Sequence, residues 1–387
     1  RTNSQGLIED ITANLPRIDY TGGVGHWLFE PQSTQTATYS NDFTQGDLFV
    51  SSSDPSLGDT VLTSQQTTSP DGTNNAWKLV DNNDGLTGQT RLSYFATTVI
   101  ANNYNTISYF VKKQGSNNFV YIDTFGFDAG ANGRTWFNIQ NGTLGNVSAN
   151  HTANIQNYGN GWYRISITMQ ATTDVVGAFV LRLANSNGTG NILRDGTNGV
   201  YLFGVQAESD ASRQFMTSYI PTNGEVNGVT RLADAAFGAG SSDLINSTEG
   251  VLYAEIAALA DDNIARNISL GSGDLTNTVE IFYGNSTNQI SFKIRANNSN
   301  VTVQNRTVSD RTQFAKVAIK YKSGEIKGFI NGVKEVDRTD SFTFSSSLSE
   351  LTFERANGSD EFEGKVKCVA VFKEALTDAE LTCLTTI

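Results

Sequence analysis

Short runs rich in β-branched and aromatic residues recur along this chain, and each is closed off by Gly, Asn, Asp, Ser or Thr. Residues 76–80 (AWKLV), 106–111 (TISYFV), 119–125 (FVYIDTF), 135–139 (TWFNI), 162–169 (WYRISITM), 179–183 (FVLRL) and 200–206 (VYLFGVQ) read as strands. Turn clusters such as Ser69-Pro70-Asp71-Gly72 and Asp81-Asn82-Asn83-Asp84-Gly85 separate them. No helical periodicity competes, so the pattern predicts a β-sandwich. A second series follows at 251–256, 267–270, 278–282, 289–295, 300–307, 315–321, 326–330 and 364–372. Within it, Asn331-Gly332 is a strong two-residue hairpin signal. Thr377-Asp378-Ala379-Glu380 is a capping box and predicts a short C-terminal helix.

Between the two series lies residues 205–234. Pro221 fixes its own φ and pushes Ile220 towards extended geometry, and Asn223-Gly224 and Asn227-Gly228 mark turns. This stretch reads as the closing strand of one sandwich and the crossing to another. A length of 387 residues is too great for one typical core and suits two domains. The expected division is an extended connector over 1–45, a sandwich over 46–222, a linker over 223–249 and a second sandwich over 250–387. The expected fold is therefore all-β: two tandem jelly-roll β-sandwiches with a short C-terminal helix.

Charge excludes some functions. The net charge of −12 argues against a phosphate-neutralising nucleic-acid surface and against docking on an anionic membrane. No run is long enough for a membrane-spanning helix. The chain begins Arg1-Thr2-Asn3 without an initiating Met, which reads as part of a longer protein. There is no G-x-S-x-G elbow, no phosphate-binding loop and no dinucleotide fingerprint, and His26 and His151 are the only histidines. Glu350, Glu354, Asp360, Glu361 and Glu363 group near the C-terminus and read as solvated strand ends and turns. On these grounds the chain is expected not to be an enzyme.

Three sets of residues are candidates for binding. Asp81, Asn83 and Asp84 offer hard oxygens in a short loop, which suits a structural Ca²⁺, against the competing reading of a polar turn; Asp261-Asp262-Asn263 is a second such loop. Aromatic rings stack on the apolar faces of sugars. Trp136 and Trp162 sit in strongly apolar strands and read as core, whereas Trp77, Tyr104, Tyr158 and Tyr283 are the candidate ligand-binding rings. Cys368 and Cys383, the only cysteines, are expected to be free, buried thiols, with a disulfide as the alternative.

Several stretches carry a family resemblance. Gln206-Ala207-Glu208, then residues 217–222 (TSYIPT), then Arg231-Leu232-Ala233-Asp234 resemble a passage common in bacteriophage tail-fibre and spike proteins. There it joins a carbohydrate-binding-module-like jelly roll to a laminin-G-like, or concanavalin A-like, jelly roll. Residues 15–20 (LPRIDY), 27–32 (WLFEPQ) and 39–43 (YSNDF) resemble the entrance to that module. The match departs from the family at His26-Trp27 and Gln35-Thr36, where small or aliphatic residues are expected. Residues 161–167 (GWYRISI) resemble a carbohydrate-binding-module strand, 318–321 with 328–333 (AIKY and GFINGV) resemble laminin-G hairpins, and 371–381 (VFKEALTDAEL) is typical of phage fibres. The resemblance implies a non-catalytic virion fibre or spike that recognises a host cell-surface glycan. It also implies attachment to other virion proteins through an upstream segment and a homo-oligomer, a trimer being favoured. A polysaccharide-degrading enzyme with an accessory binding module and a purely structural capsid decoration protein are the alternatives.

Overall fold

The computed structural model describes residues 1–11, 15–45, 48, 57–58 and 60–387. The chain is all-β, built as jelly-roll sandwiches with one short helix at Asp378–Thr385 among the described residues. It divides into two compact units. The first comprises Arg1–Leu15, Asp19–Val24 and Gln32–Leu232, and the second Pro16–Ile18, Gly25–Pro31 and Ala233–Ile387. The entrance segment is extended, and Pro16–Ile18 and Gly25–Pro31 of it belong to the second unit. In the second unit, His26–Phe29 pairs with Gly364–Phe372, matching Trp27 to Val366 and Phe29 to Gly364. Phe29 is buried there and stacks on Phe353 at 4.7 Å. Leu28 and Phe29 both bury apolar surface, which a solvent-exposed connector could not do.

The first unit stacks a six-stranded sheet on a five-stranded one among the described residues. In the larger, Tyr104–Lys113 lies between Trp162–Gln170 and Gly199–Asp210; in the smaller, Phe119–Phe125 lies between Gly133–Asn138 and Val175–Ala184. Alternate residues of each strand, such as Ile107, Tyr109 and Val111, or Val120 and Ile122, fill the space between the sheets. This period of two follows from the pleat, which turns successive side chains to opposite faces. Trp162 and Trp136 are buried, as their apolar strands predict.

Hydrogen bonding and packing account for the residues at His26-Trp27 and Gln35-Thr36, where the resemblance led to small or aliphatic ones. Gln35 is fully buried, yet its amide donates to the Val205 carbonyl at 2.7 Å and accepts from the Ala207 and Ala37 amides at 2.7 and 3.1 Å. An aliphatic side chain would leave those groups unmet. His26 is buried with its ring edge-on to Phe314, while Trp27 is 38% exposed and rests against Phe353.

In the second unit a sheet runs His26–Phe29, Gly364–Phe372, Glu249–Ala258, Ala315–Lys322, Ile326–Ile330, Val333–Arg338, with Ile18 at its edge beside His26–Phe29. It faces a five-stranded sheet in the order Ser299–Thr307, Gln289–Ala296, Thr278–Tyr283, Arg266–Gly271, Glu350–Thr352. Asn331 and Gly332 both adopt positive φ, 48° and 81°, the conformation a two-residue hairpin with matching twist demands. The helix opens with the full capping box: Thr377 accepts from the Glu380 amide, and Glu380 accepts in return from the Thr377 amide. Cys368 and Cys383 are free, as expected, but exposed instead of buried. Cys368 lies beyond the apolar contact of helix and sheet, where Leu381 packs with Val251, Tyr253, Ala318 and Phe329.

Candidate functional site

The five-stranded sheet of the second unit has two chemically different faces. Ile268, Leu270, Val279, Ile281, Tyr283, Ile290, Phe292 and Ile294 point into the core. The residues between them point away, and register aligns these into two rows. Asn267 stands opposite Phe282, Phe282 opposite Ser291, and Ser291 opposite Asn305. One pleat along, Ser269, Glu280, Lys293 and Val303 form the second row. Directly opposed side chains lie about 5 Å apart, so eight residues from four strands make one continuous surface. Over it lies a cleft of 420 Å³, to which Arg355 and Asp360 contribute from the segment after Glu350–Thr352.

The cleft mixes polar side chains with the apolar Phe282, Val303 and Ala265. The Phe282 ring is half-buried, set between the Asn267 and Ser291 positions. Glu280 is 1% exposed; it accepts from the Lys293 ammonium at 3.2 Å and from the Thr278 hydroxyl at 2.6 Å. Burial lowers the Lys293 pKa, and the nearby Arg355 charge adds to that, while Glu280 opposes it. Ser291 donates to the Asn305 Oδ1 at 2.9 Å, and Ser269 is tied to Thr352 and to the Glu354 carbonyl. Two groups remain unmet. Among the described residues, the Oδ1 of Asn267, a residue only 2% exposed, has no hydrogen-bond partner, nor does the buried Nε of Arg355. A buried carbonyl oxygen without a donor is costly, and a ligand hydroxyl reaching it would remove that cost.

The aromatic candidates lie elsewhere. Tyr283 points into the core of the second unit; it is fully buried, packs on Phe362 and lies beneath Arg311. Burial raises its phenol pKa. It cannot offer a face to a sugar; its neighbour Phe282, one residue back and so on the opposite face, can. Trp77 is half-buried against the core of the first unit, edge-on to Phe43, and its indole donates to the Asn41 carbonyl at 2.7 Å. Tyr158 packs edge-on to Phe110 at 4.9 Å on the other face of that sheet. Tyr104 begins the strand Tyr104–Lys113, about 20 Å along from Phe110. The structure does not bring these rings together.

The two acidic loops are committed internally. Asp81 is 1% exposed and accepts from Asn198 through both carboxylate oxygens, with burial raising its pKa. Asp84 takes the Arg194 guanidinium at 2.9 Å, which lowers its pKa, and Asn83 is exposed. The calcium expectation at Asp81, Asn83 and Asp84 therefore meets one carboxylate bonded to amides and another paired with a guanidinium. In the second loop, Asp262 binds Arg266 at 2.6 Å and Arg311 at 3.2 Å, and Asp261 binds Arg311 at 2.7 Å. There too, guanidinium groups stand where a cation would. Among the described residues, no group of three or more His, Cys, Asp or Glu is arranged to hold a metal ion.

The comparisons with known proteins fall on this unit first. Residues 255–382 match the concanavalin A-like lectin/glucanases superfamily, a stretch that includes the whole cleft. A comparison with curated proteins finds no match. Among solved structures, the carbohydrate-binding module CBM40 of a Ruminococcus gnavus IT-sialidase, bound to α2,3-sialyllactose, is similar with a TM-score of 0.33 and 16% identity, over 39% of this chain and 94% of that one. Domains LG4-5 of the mouse laminin α1 chain are similar with a TM-score of 0.27 and 9% identity, over 94% of this chain and 93% of that one. Domain 4 of the Geobacillus stearothermophilus arabinanase AbnA, in complex with arabinotriose, is similar with a TM-score of 0.31 and 14% identity, over 45% and 84%. With TM-scores below 0.5, none of these three likenesses bears on what the chain does.

Proposed function

We propose that this chain binds a saccharide in the cleft on the outer face of its second unit's five-stranded sheet and does not cleave it. The observation that carries the reading is the half-buried Phe282 ring set among polar side chains, one of which, Asn267, holds a buried acceptor without a donor. A sugar ring has an apolar C–H face and a rim of hydroxyls. Phe282 suits the first, and Asn267, Asn305 and Arg355 suit the second. A volume of 420 Å³ is at the low end for ligand sites and suits one or two rings. A glycoside hydrolase needs two carboxylates poised on the scissile bond. Glu280 is instead held by Lys293 and Thr278, which supports a binding role.

The wider setting rests on the resemblance of residues 15–43, 206–234 and 371–381 to phage tail fibres and spikes. In that setting the chain is displayed on a virion, attached through an upstream segment, and recognises a glycan of the host cell surface. Single sugar sites are weak, so attachment would use several copies acting together, as in a homotrimer. The test is electrophoresis of the full chain through gels containing host polysaccharides, with a parallel assay for reducing sugar. Retardation by at least one polysaccharide without sugar release is expected. Mobility unchanged in every gel contradicts the binding reading, and sugar release contradicts the non-catalytic one. Blocking of phage adsorption by oligomeric protein checks the virion role separately.

A further inference from the structure

We infer that the saccharide bound in this cleft carries an anionic oxygen group, a carboxylate or a sulfate, received by Arg355. This rests on the saccharide reading above. Among the described residues, Arg355 makes no side-chain hydrogen bond, its buried Nε has no partner, and its one counter-charge is the exposed Asp360, 3.7 Å from Nη1 and beyond hydrogen-bond reach. A guanidinium presents five donors in a planar fork that fits two oxygens of one acid group.

The neighbouring charges leave Arg355 as the available cation. Lys293 is already paired with Glu280 at 3.2 Å, and Glu280 is completed by Thr278, so that buried pair is internally neutral. Lys293 and Arg355 both line the cleft, so two cations stand in one site. The buried, unpartnered Asn267 Oδ1 lies on the same surface and takes a donor, not an acceptor. The complementary ligand has an oxyanion beside a hydroxyl. Glu354, next in sequence to Arg355, has a raised pKa from burial and from Glu361 and Glu350; these carboxylates oppose an anionic ligand at long range, as does the net charge of −12. Retention of an acidic polymer by so acidic a chain would therefore report a local site and not general attraction.

The test measures binding of the full chain to matched polysaccharides: polygalacturonate against its methyl ester, and dextran sulfate against dextran. The first pair reads carboxylate and the second sulfate. At least one acidic member should bind about tenfold or more tightly than its neutral partner, and Arg355→Gln should abolish that difference, bringing the acidic member down to the variant's own affinity for the neutral one. If Arg355→Gln does not fold, Arg355→Lys keeps the charge without the fork and should still lose most of the preference. Binding of neutral members as tightly as acidic ones, or an acidic preference unchanged in the Arg355 variant, overturns the inference and leaves the saccharide reading standing. Binding to none of the four overturns the inference, and the saccharide reading falls with it only if mobility is also unchanged in every host-polysaccharide gel.

Discussion

The outer faces of the two five-stranded sheets have similar ingredients and opposite outcomes. In the first unit, Tyr121 and Trp136 stack at 5.0 Å and are both buried. The Trp136 indole donates to the Thr189 carbonyl at 3.1 Å, and the Tyr121 hydroxyl to the Gly190 carbonyl at 3.4 Å. Beside them Arg182 and Arg134 share the two oxygens of Asp123. Aromatic faces are covered by a loop and charges are satisfied within the fold. In the second unit, Phe282 keeps part of its ring uncovered, Arg355 keeps its donors, and Asn267 keeps an acceptor. The difference teaches that aromatic content alone does not leave a face open. The proposed binding face is set apart by a ring left partly uncovered among polar groups that the fold does not satisfy.

That contrast can be broken most severely on the closed face. Trp136→Ala should destabilise the first unit by about 3–5 kcal/mol, the usual cost of removing a buried aromatic, and leave saccharide binding unchanged. Phe29→Ala should cost the second unit a similar amount, because Phe29 belongs to its core. Calorimetry of each variant should show one transition lowered and the other kept. A single transition that shifts as a whole would contradict the independence of the two units. Fragment 250–387, which lacks Phe29 and the core residue Ile245, should melt below the same unit in the full chain.

A smaller effect is expected from pH. His151, bonded to Thr124 and Thr135 at 2.9 Å each, has its pKa lowered from 6.5 to about 4, chiefly by burial. The folded first unit thus holds fewer protons than its unfolded chain between those values. The stabilisation is whole above about pH 6.5 and is lost as the pH falls towards 4, amounting to roughly 3 kcal/mol. Thermal melts from pH 7 to 4 should show the first unit's transition falling, with a flatter profile in His151→Gln. An equal slope in that variant would assign the pH dependence to other groups. Smallest is the stability effect of Phe282→Ala, about 1 kcal/mol or less, since its ring is only half-buried.

Much of the architecture was legible in the sequence. The strand runs, the Asn331-Gly332 turn and the Thr377 capping box each follow from local chemistry, and local chemistry is what a single sequence displays. The burial of Trp136 and Trp162 followed from their apolar neighbours. The cleft was not legible in the same way. Residues 278–283 (TVEIFY) read plainly as a strand, but alternation assigns Phe282 and Tyr283 to opposite faces without saying which face meets the core. That choice depends on the sheet packed against it. The rows Asn267–Phe282–Ser291–Asn305 and Ser269–Glu280–Lys293–Val303 exist only through pairing register. Arg355 and Asp360 arrive from more than sixty residues further along the chain than Ser291. The polar residues alternating with Ile and Val at 267–270, 278–281 and 290–294 were the available signal, and their common face could have been proposed from it. Tyr283 lies on the strand that also carries Phe282, but its side chain belongs to the core.

The most direct test titrates the full chain, Phe282→Ala and Trp77→Ala with the polysaccharide that retains the parent protein, by calorimetry. If the outer face of the second unit is the binding surface, Phe282→Ala weakens binding by about tenfold or more, while Trp77→Ala, whose ring belongs to the first unit's core, leaves affinity within about twofold. Loss of binding in Trp77→Ala with Phe282→Ala unaffected would contradict the account and move the site to the first unit.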